Sequence, residues 1–337
     1  MTCVDKPGGL TRRTFLIRLL QALGLVSLSP AVVQAFTVIS EAQEVALGQQ
    51  ADQEVLKRFG RYEDPALEAY VAGVGERLLK GVETRGFQYQ FKVLDSQEVN
   101  AMALPGGYVY VTRGMLAELN SEAELAGVLG HEIAHVTQRH AAKQLTRALG
   151  YQILTLGLMA LSPGGREYAG QWGMVMSQLF QLALLGYGRE AELEADEIGL
   201  RYTYRAGYDP RVMGGFLRRL RLKERLEGLA YHGFSTHPET GERVVKAETL
   251  AGLLADQGGR LIVGSDSYKA HLEGLVYGDK KGWKRIRIYT ARGGESLAQV
   301  AREVYKDEKK AWNLAFFNGL KEGIILKEGE KLKVMPD

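Results

Sequence analysis

The spacing of hydrophobic residues changes along the chain and divides it into predicted elements. Residues 41–80 carry hydrophobic positions three or four apart, which predicts two helices with a break at Pro65. Residues 87–93 and 108–112 instead alternate between apolar and polar side chains, as half-buried strands do. The second strand is entered through a predicted turn at 105–107.

The middle of the chain is mainly helical by the same criterion. Ser121 and Glu124 form a predicted capping box, and the helix that follows is expected to reach about Leu149. Residues 151–186 are apolar but interrupted, which predicts two helices flanking a mobile loop and no transmembrane span in the mature chain. Further helices are predicted at residues 189–205, 210–229 and 239–254.

The end of the chain returns to short alternating segments. Residues 284–335 carry two helical patterns between two such segments, which predicts a small β-α-α-β unit. The fold class is therefore expected to be α+β: a mostly helical domain with a small mixed sheet, followed by a β-α-α-β module. A length of 337 residues accommodates these two domains.

The excess positive charge of the chain lies at its beginning. The first 35 residues hold four basic residues and one acidic residue, and the remainder holds 39 of each. Arg12 and Arg13 precede a short apolar stretch and a small-residue cleavage pattern ending at Ala35, the order of a twin-arginine-like secretory signal. We expect a cleaved signal peptide at 1–35 and a periplasmic or otherwise exported protein; an uncleaved anchor and the general secretory route are the alternatives.

Composition limits the chemistry of the remaining chain. Its balanced charge provides no concentrated basic surface, so nucleic acid is not an expected partner. The only cysteine is Cys3, in the predicted signal, which excludes disulfides and Cys-ligated metal sites from the rest. A metal site there must use histidines and carboxylates.

The motif with the clearest chemistry is His131-Glu132-Ile133-Ala134-His135. Histidines four positions apart on a helix lie about 40° apart around its axis, so both imidazoles can bind one zinc ion. Glu132 lies about 100° round from His131, where its carboxylate reaches a zinc-bound water as general base. The alternative is an ordinary solvated helix face, because this motif also arises by chance.

A predicted helix downstream carries carboxylates in a matching pattern. Glu192 and Asp196 form a Glu-x-x-Ala-Asp sequence that begins 57 residues after His135. Together with the first motif, it resembles the M48 family of zinc metallopeptidases, especially its soluble, exported bacterial members. The resemblance implies a gluzincin-like zincin fold and one Zn²⁺ per chain, bound by His131, His135 and Glu192. It also implies that Asp196 holds a zinc-bound histidine in its tautomer.

The resemblance extends to the segment that lines the cleft in this family. It is carried here by residues 100–107, and the implied substrate-binding residues are Asn100, Leu104, Gly106 and Gly107. A strand edge at this position would pair with an extended peptide by β-augmentation. An ordinary core strand behind a glycine turn is the alternative.

A later His-Pro segment also resembles the family. His237 either stabilises the oxyanion as an imidazolium, fills the open coordination position and silences the enzyme, or is structural. Arg243 either binds a substrate carbonyl or ties this loop to the core.

The other charged residues near these motifs are expected to play no part in the site. His140, about 140° round the helix from His135, is interpreted as structural or surface, as are His232 and His271. Glu190 and Glu194 are interpreted as part of a solvated helix face.

Residues 286–334 resemble a LysM domain, through segments 289–290, 294–297, 318–320 and 326–332. LysM domains bind glycans that contain N-acetylglucosamine, so peptidoglycan is the implied partner. The same residues would also suit a packing module that binds nothing.

These observations predict an exported zinc endopeptidase with a peptidase domain at 36–280 and a LysM-like domain at 284–337. Its expected substrates are unfolded or misassembled envelope proteins. Two other functions remain open. One is a latent chaperone or assembly factor built on a metalloprotease fold. The other is a peptidoglycan-binding protein that acts through its last domain.

Overall fold

The computed structural model describes residues 40–82, 86–146, 186–227, 237, 241–278 and 282–335. The predicted signal peptide lies outside the described residues, and so does the apolar segment 151–186 except for its last residue. Within the described part of the chain, no helix is both long enough and apolar enough to cross a membrane.

Two long helices begin the described chain, α1 (Glu41–Phe59) and α2 (Pro65–Leu79). The side chain of Ser40 caps α1 in a reciprocal capping box. Asp64 caps α2 directly before Pro65, whose missing N–H is not needed in the first helical turn. The pair of helices and the break between them are as predicted.

A three-stranded sheet follows, formed by β1 (Gln90–Leu94), β2 (Ala101–Leu104) and β3 (Tyr108–Thr112). Its order is β1-β3-β2, with β1 parallel and β2 antiparallel to the central β3. The alternating pattern predicted β1 and β3. It did not predict β2, because the sequence Ala-Met-Ala-Leu is apolar throughout and contains no polar position to mark the period.

The helices that follow the sheet surround the centre of the molecule. They are α3 (Arg113–Glu118), α4 (Glu122–Thr137), α5 (Arg189–Arg205), α6 (Val212–Glu227), α7 (Gly241–Ala255) and α8 (Ser265–Ala270). Helix α4 is the central element, since every residue from Ala123 to Thr137 is buried.

Helix α4 departs from its prediction at both ends. Ser121 caps it by accepting a hydrogen bond from the Glu124 N–H, but the Glu124 carboxylate accepts from the Asn120 N–H rather than from Ser121. The helix ends at Thr137, and helical structure resumes only at His140, so a continuous helix to Leu149 was wrong.

Two glycines allow α5 to cross α4 at close range. A Cβ on Gly199 would lie 2.7 Å from the backbone nitrogen of His131, and one on Gly130 would lie 2.8 Å from the Gly199 carbonyl oxygen. Only a residue without a side chain fits at either position. The contact brings the carboxylates at the start of α5 over the histidines of α4.

The chain ends in the predicted β-α-α-β arrangement. Two short strands, β4 (Val276–Tyr277) and β5 (Lys284–Arg285), pair ahead of it. The module itself consists of β6 (Arg287–Thr290), α9 (Leu297–Tyr305), α10 (Ala311–Asn318) and β7 (Lys331–Val334), with β6 antiparallel to β7. Its hydrophobic core is separate from that of the larger domain and includes Val300, Leu314 and Leu332.

Candidate metal centre

The two histidines of α4 face one point inside the molecule. Their Nε2 atoms lie 3.0 Å apart, and both side chains are buried. The Glu192 carboxylate reaches the same point from α5, 3.4 Å from His131 Nε2 and 3.6 Å from His135 Nε2. The structure thus brings together the three residues that the sequence predicted as ligands.

His237 joins this cluster from the segment before α7. Its Nδ1 lies 2.9 Å from a Glu192 oxygen and 3.2 Å from His131 Nε2. One donor atom from each of His131, His135, Glu192 and His237 lies within 4.8 Å of the others. Imidazole nitrogens with a carboxylate oxygen are a donor set typical of zinc, so these residues fit the predicted metal.

Glu132 lies beside the cluster in an unusual environment for a carboxylate. Its side chain is fully buried, and neither oxygen has a hydrogen-bond partner among the described residues. His237 Nε2 lies 3.3 Å from Glu132 Oε1, an ion-pair distance, although the two atoms do not form a hydrogen bond. Both oxygens therefore remain available to accept a hydrogen bond from a molecule bound in the site.

Asp196 fixes the orientation of His131. Its Oδ1 lies 3.0 Å from His131 Nδ1, which leaves Nε2 to face the cluster. Burial alone would lower the pKa of His131, but hydrogen bonds to Asp196 and Glu192 raise it to about 10. Burial likewise opposes ionisation of Asp196, but the hydrogen bond from Arg243 holds the pKa of this carboxyl below its usual value.

Arg243 is buried against the same cluster. Two of its guanidinium nitrogens donate to the two Asp196 oxygens, each at 2.7 Å, and a third donates to the His237 carbonyl at 3.1 Å. Among the two roles that the sequence left open, this geometry favours tying the His237 segment to the core. The Nη1 atom of Arg243 also lies 3.2 Å from a Glu192 oxygen, so the guanidinium links the His237 segment to a predicted metal ligand.

The residues predicted to bind substrate lie at the edge of the sheet. Among the described strands, β2 pairs with β3 alone, and residues 103–105 border a small cavity that also touches His135. Gly106 and Gly107 have φ of 81° and 102°, and a Cβ on Gly106 would lie 2.8 Å from the Val45 Cα. Both glycines are therefore needed for the turn itself, whether or not they contact substrate.

Two residues near the metal cluster were missed in the sequence. His140, interpreted as facing away, is buried with its Nδ1 2.8 Å from His135 Nδ1. The ring of Tyr187 stacks on His135 with a centroid distance of 4.3 Å. No spacing rule marks Tyr187, because it comes from a segment distant in sequence. His271 instead stacks on Tyr70, as a structural residue does.

Comparison with known proteins matches this site to a family. The model of peptidase family M48 matches residues 65–251, more than half of the chain, and this range includes every residue of the cluster. The beta-barrel assembly-enhancing proteases of Yersinia pestis and Escherichia coli K12 are 30% and 28% identical over 223 residues. Each alignment covers 64% of this chain, but only 46% and 45% of those proteins.

A eukaryotic relative is also similar to this chain. Mitochondrial metalloendopeptidase OMA1 of Schizosaccharomyces pombe is 31% identical over 218 residues, 63% of this chain and 62% of that protein. This chain therefore spans about half the length of the bacterial relatives and somewhat more of the mitochondrial one. From the family match and the cluster on α4 and α5, this chain belongs to peptidase family M48.

Proposed function

We propose that this protein is a zinc-dependent endopeptidase. The observation that carries the proposal is the pairing of a buried four-donor cluster with the Glu132 carboxylate, which has no hydrogen-bond partner among the described residues. A solvated helix face would leave Glu132 exposed, and a purely structural zinc site would not need an unpartnered carboxylate next to it.

The ligands, the neighbouring Glu132 and the residues that orient His131 have different parts in hydrolysis. His131, His135 and Glu192 hold the zinc ion, which when bound polarises the scissile carbonyl and lowers the pKa of water. Glu132 takes a proton from the attacking water while the oxygen of that water bonds to the carbonyl carbon. It then passes that proton to the amide nitrogen as the C–N bond breaks. Asp196 and Arg243 keep His131 in the required orientation.

The proposed substrate is an extended segment of an unfolded or misassembled envelope protein. Strand β2 supports this choice, because its outer edge is unpaired within the described sheet and leads to the cavity beside His135. The name of the bacterial relatives, beta-barrel assembly-enhancing protease, is consistent with a role in the envelope. Export through the signal at 1–35 would bring the enzyme to that compartment.

His237 supports a second, regulated form of the same function. Because its Nδ1 lies among the ligand atoms, His237 is positioned to occupy the coordination position that substrate needs. The enzyme would then rest in a latent state, as in the alternative of a chaperone or assembly factor. His237→Ala tests this: faster cleavage supports a latch, and slower cleavage supports a role in the reaction.

The C-terminal module is proposed to tether the enzyme to peptidoglycan. The β-α-α-β arrangement and the resemblance of 286–334 to LysM support this, as does the surplus of 13 basic over 8 acidic residues from position 281 onward. Cosedimentation of the whole protein with purified peptidoglycan tests it. Protein that stays in the supernatant at low and physiological salt would remove this part of the proposal.

Metal dependence and substrate class are tested together with ribonuclease A in two forms. The zinc-loaded protein is incubated with native ribonuclease A and with the same chain after reduction and alkylation. We expect internal fragments, identified by mass spectrometry, from the unfolded form only. Cleavage should stop when a chelator removes the metal and return with added zinc. Cleavage that persists without metal would contradict the proposal.

A further inference from the structure

A chain of side-chain contacts leads away from the metal cluster through His135. His135 Nε2 faces the cluster, and its Nδ1 lies 2.8 Å from Nδ1 of His140. On the far side of the His140 ring, Nε2 lies 3.1 Å from a carboxylate oxygen of Glu194. The chain of contacts therefore runs from Glu194 through His140 to His135.

The backbone between α4 and the next helical stretch creates this contact. On one continuous helix His140 would point about 140° away from His135. Instead the helix stops at Thr137, and Arg139 adopts a left-handed conformation with φ of 56°. A non-glycine residue rarely adopts this conformation without support from its surroundings. Here the Arg139 side chain forms an ion pair with Glu44, which is 1% exposed.

The hydrogen bonds are consistent with only one arrangement of protons when His135 binds metal through Nε2. Its Nδ1 then carries the proton and donates to His140 Nδ1, which must be an acceptor. His140 consequently carries its own proton on Nε2 and donates this hydrogen bond to the Glu194 carboxylate. Each of the two histidines thus has one defined tautomer and one defined orientation.

We propose that His140 and Glu194 form a positioning pair that holds the zinc ligand His135 in its metal-binding tautomer and orientation. The pair would act on His135 as Asp196 acts on His131. This inference rests on the proposed zinc site. It assigns a role to two residues whose sequence pattern indicated none.

The size of the effect follows from the partners of the two residues. Loss of a group that hydrogen-bonds a metal-ligating histidine typically weakens metal affinity by about 10- to 100-fold. His140 is buried, so His140→Ala should show an effect in this range. The side chain of Glu194 is 45% exposed, and water can replace part of its contact, so Glu194→Ala should show a smaller loss.

The experiment compares four variants of the whole protein with the wild type. His140→Ala removes the acceptor, and His140→Asn restores an oxygen at the position of Nδ1. Glu194→Ala removes the carboxylate that contacts His140 Nε2. Glu190→Ala is the matched control, since Glu190 lies on the same helix, is exposed, and has no contact with His140 among the described residues.

Two readouts separate positioning from general destabilisation. The first is the rate at which zinc is transferred to a chromogenic chelator. The second is the ¹⁵N spectrum of labelled histidines in the zinc-loaded protein, which reports the tautomer of His135. Melting of each variant without zinc measures any loss of fold by itself.

We expect a zinc affinity about 10- to 100-fold weaker in His140→Ala, seen as faster transfer of zinc to the chelator, recovery to within several-fold in His140→Asn, and an unchanged rate in Glu190→Ala. The His135 ¹⁵N signals should move in His140→Ala and return in His140→Asn. If His140→Ala releases zinc at the wild-type rate, or if His140→Asn recovers nothing while both fold normally, the positioning role is wrong. If the wild type itself binds no zinc, the proposed function fails instead.

Discussion

At the scale of single residues, the carboxylates of the site differ in whether they form hydrogen bonds. The carboxylate of Asp196 has three close partners, namely His131 and two nitrogens of Arg243, whereas Glu132 has no hydrogen bond among the described residues. The same residue class therefore serves two purposes in one cluster. A carboxylate with partners fixes geometry, and one without them is available to accept a proton.

Asp196→Asn tests the orienting role at this scale. The amide keeps the size of the side chain but loses the charge that the His131 N–H and the Arg243 guanidinium share. Zinc affinity, measured by competition with a chelator, should fall by about 10- to 100-fold. Glu197→Gln is the control, because Glu197 is the next residue on α5 and pairs only with the surface residue Arg201 within the described chain. Equal affinities for the two variants would refute the role of Asp196.

At the scale of helices and strands, the sequence predicted the features that depend only on the spacing of neighbouring residues. The ligands His131 and His135 could be placed because helical spacing fixes their relative direction. His140 could not, because its direction depends on the left-handed Arg139 and its partner Glu44. Strand β2 was missed because its four residues are all apolar, so no polar–apolar alternation marks it as a strand.

The close crossing of α4 and α5 gives a prediction about how these two helices pack. Gly199→Ala places a methyl group 2.7 Å from the His131 backbone nitrogen, so the helices must separate. We expect a loss of about 1–3 kcal/mol in the free energy of unfolding, measured by denaturant titration, together with weaker zinc binding.

Gly73→Ala is the matched control for this substitution. Gly73 lies inside α2, and a Cβ there would meet no atom within 4 Å. Alanine should therefore raise the free energy of unfolding by about 0.5–1 kcal/mol through its better helix propensity. A stable Gly199→Ala protein that binds zinc normally would show that the close helix contact does not define the site.

At the scale of the whole molecule, the C-terminal module is built into the larger domain. Ile286 and Met335, on either side of the module, belong to the hydrophobic core of that domain. The ammonium group of Lys333 donates to the carbonyl oxygens of Ala117 and Leu119, at the end of α3. Lys333 is fully buried because the larger domain covers its side of β7, a contact that the local sequence 331–334 does not indicate.

Lys333 makes the stability of this assembly depend on pH. Burial lowers its pKa to about 7, whereas an unfolded chain keeps the ordinary value of about 10.4. Between these values the folded state binds fewer protons than the unfolded state, so stability rises with pH. The free energy of unfolding of the wild type should gain up to about 1.4 kcal/mol per pH unit from this group between pH 7 and 9.5.

Lys333→Met should remove that contribution, and the comparison is made by denaturant titration at several pH values. The wild type should gain stability relative to Lys333→Met as the pH increases from 7 to 9.5. Lys327→Met, which changes an exposed lysine of the same module, should keep the wild-type slope. Identical slopes for wild type and Lys333→Met would show that the buried amine does not titrate in this range.

The rate of casein cleavage by the zinc-loaded Glu132→Gln protein tests the proposed endopeptidase activity most directly. The amide has the size of the native side chain but takes no proton from water, while the ligands of the cluster remain. We predict one zinc bound per chain and a fall in kcat/KM of about 10²- to 10⁴-fold relative to the wild type. Cleavage at the wild-type rate by this variant would contradict the assignment of Glu132 as the base.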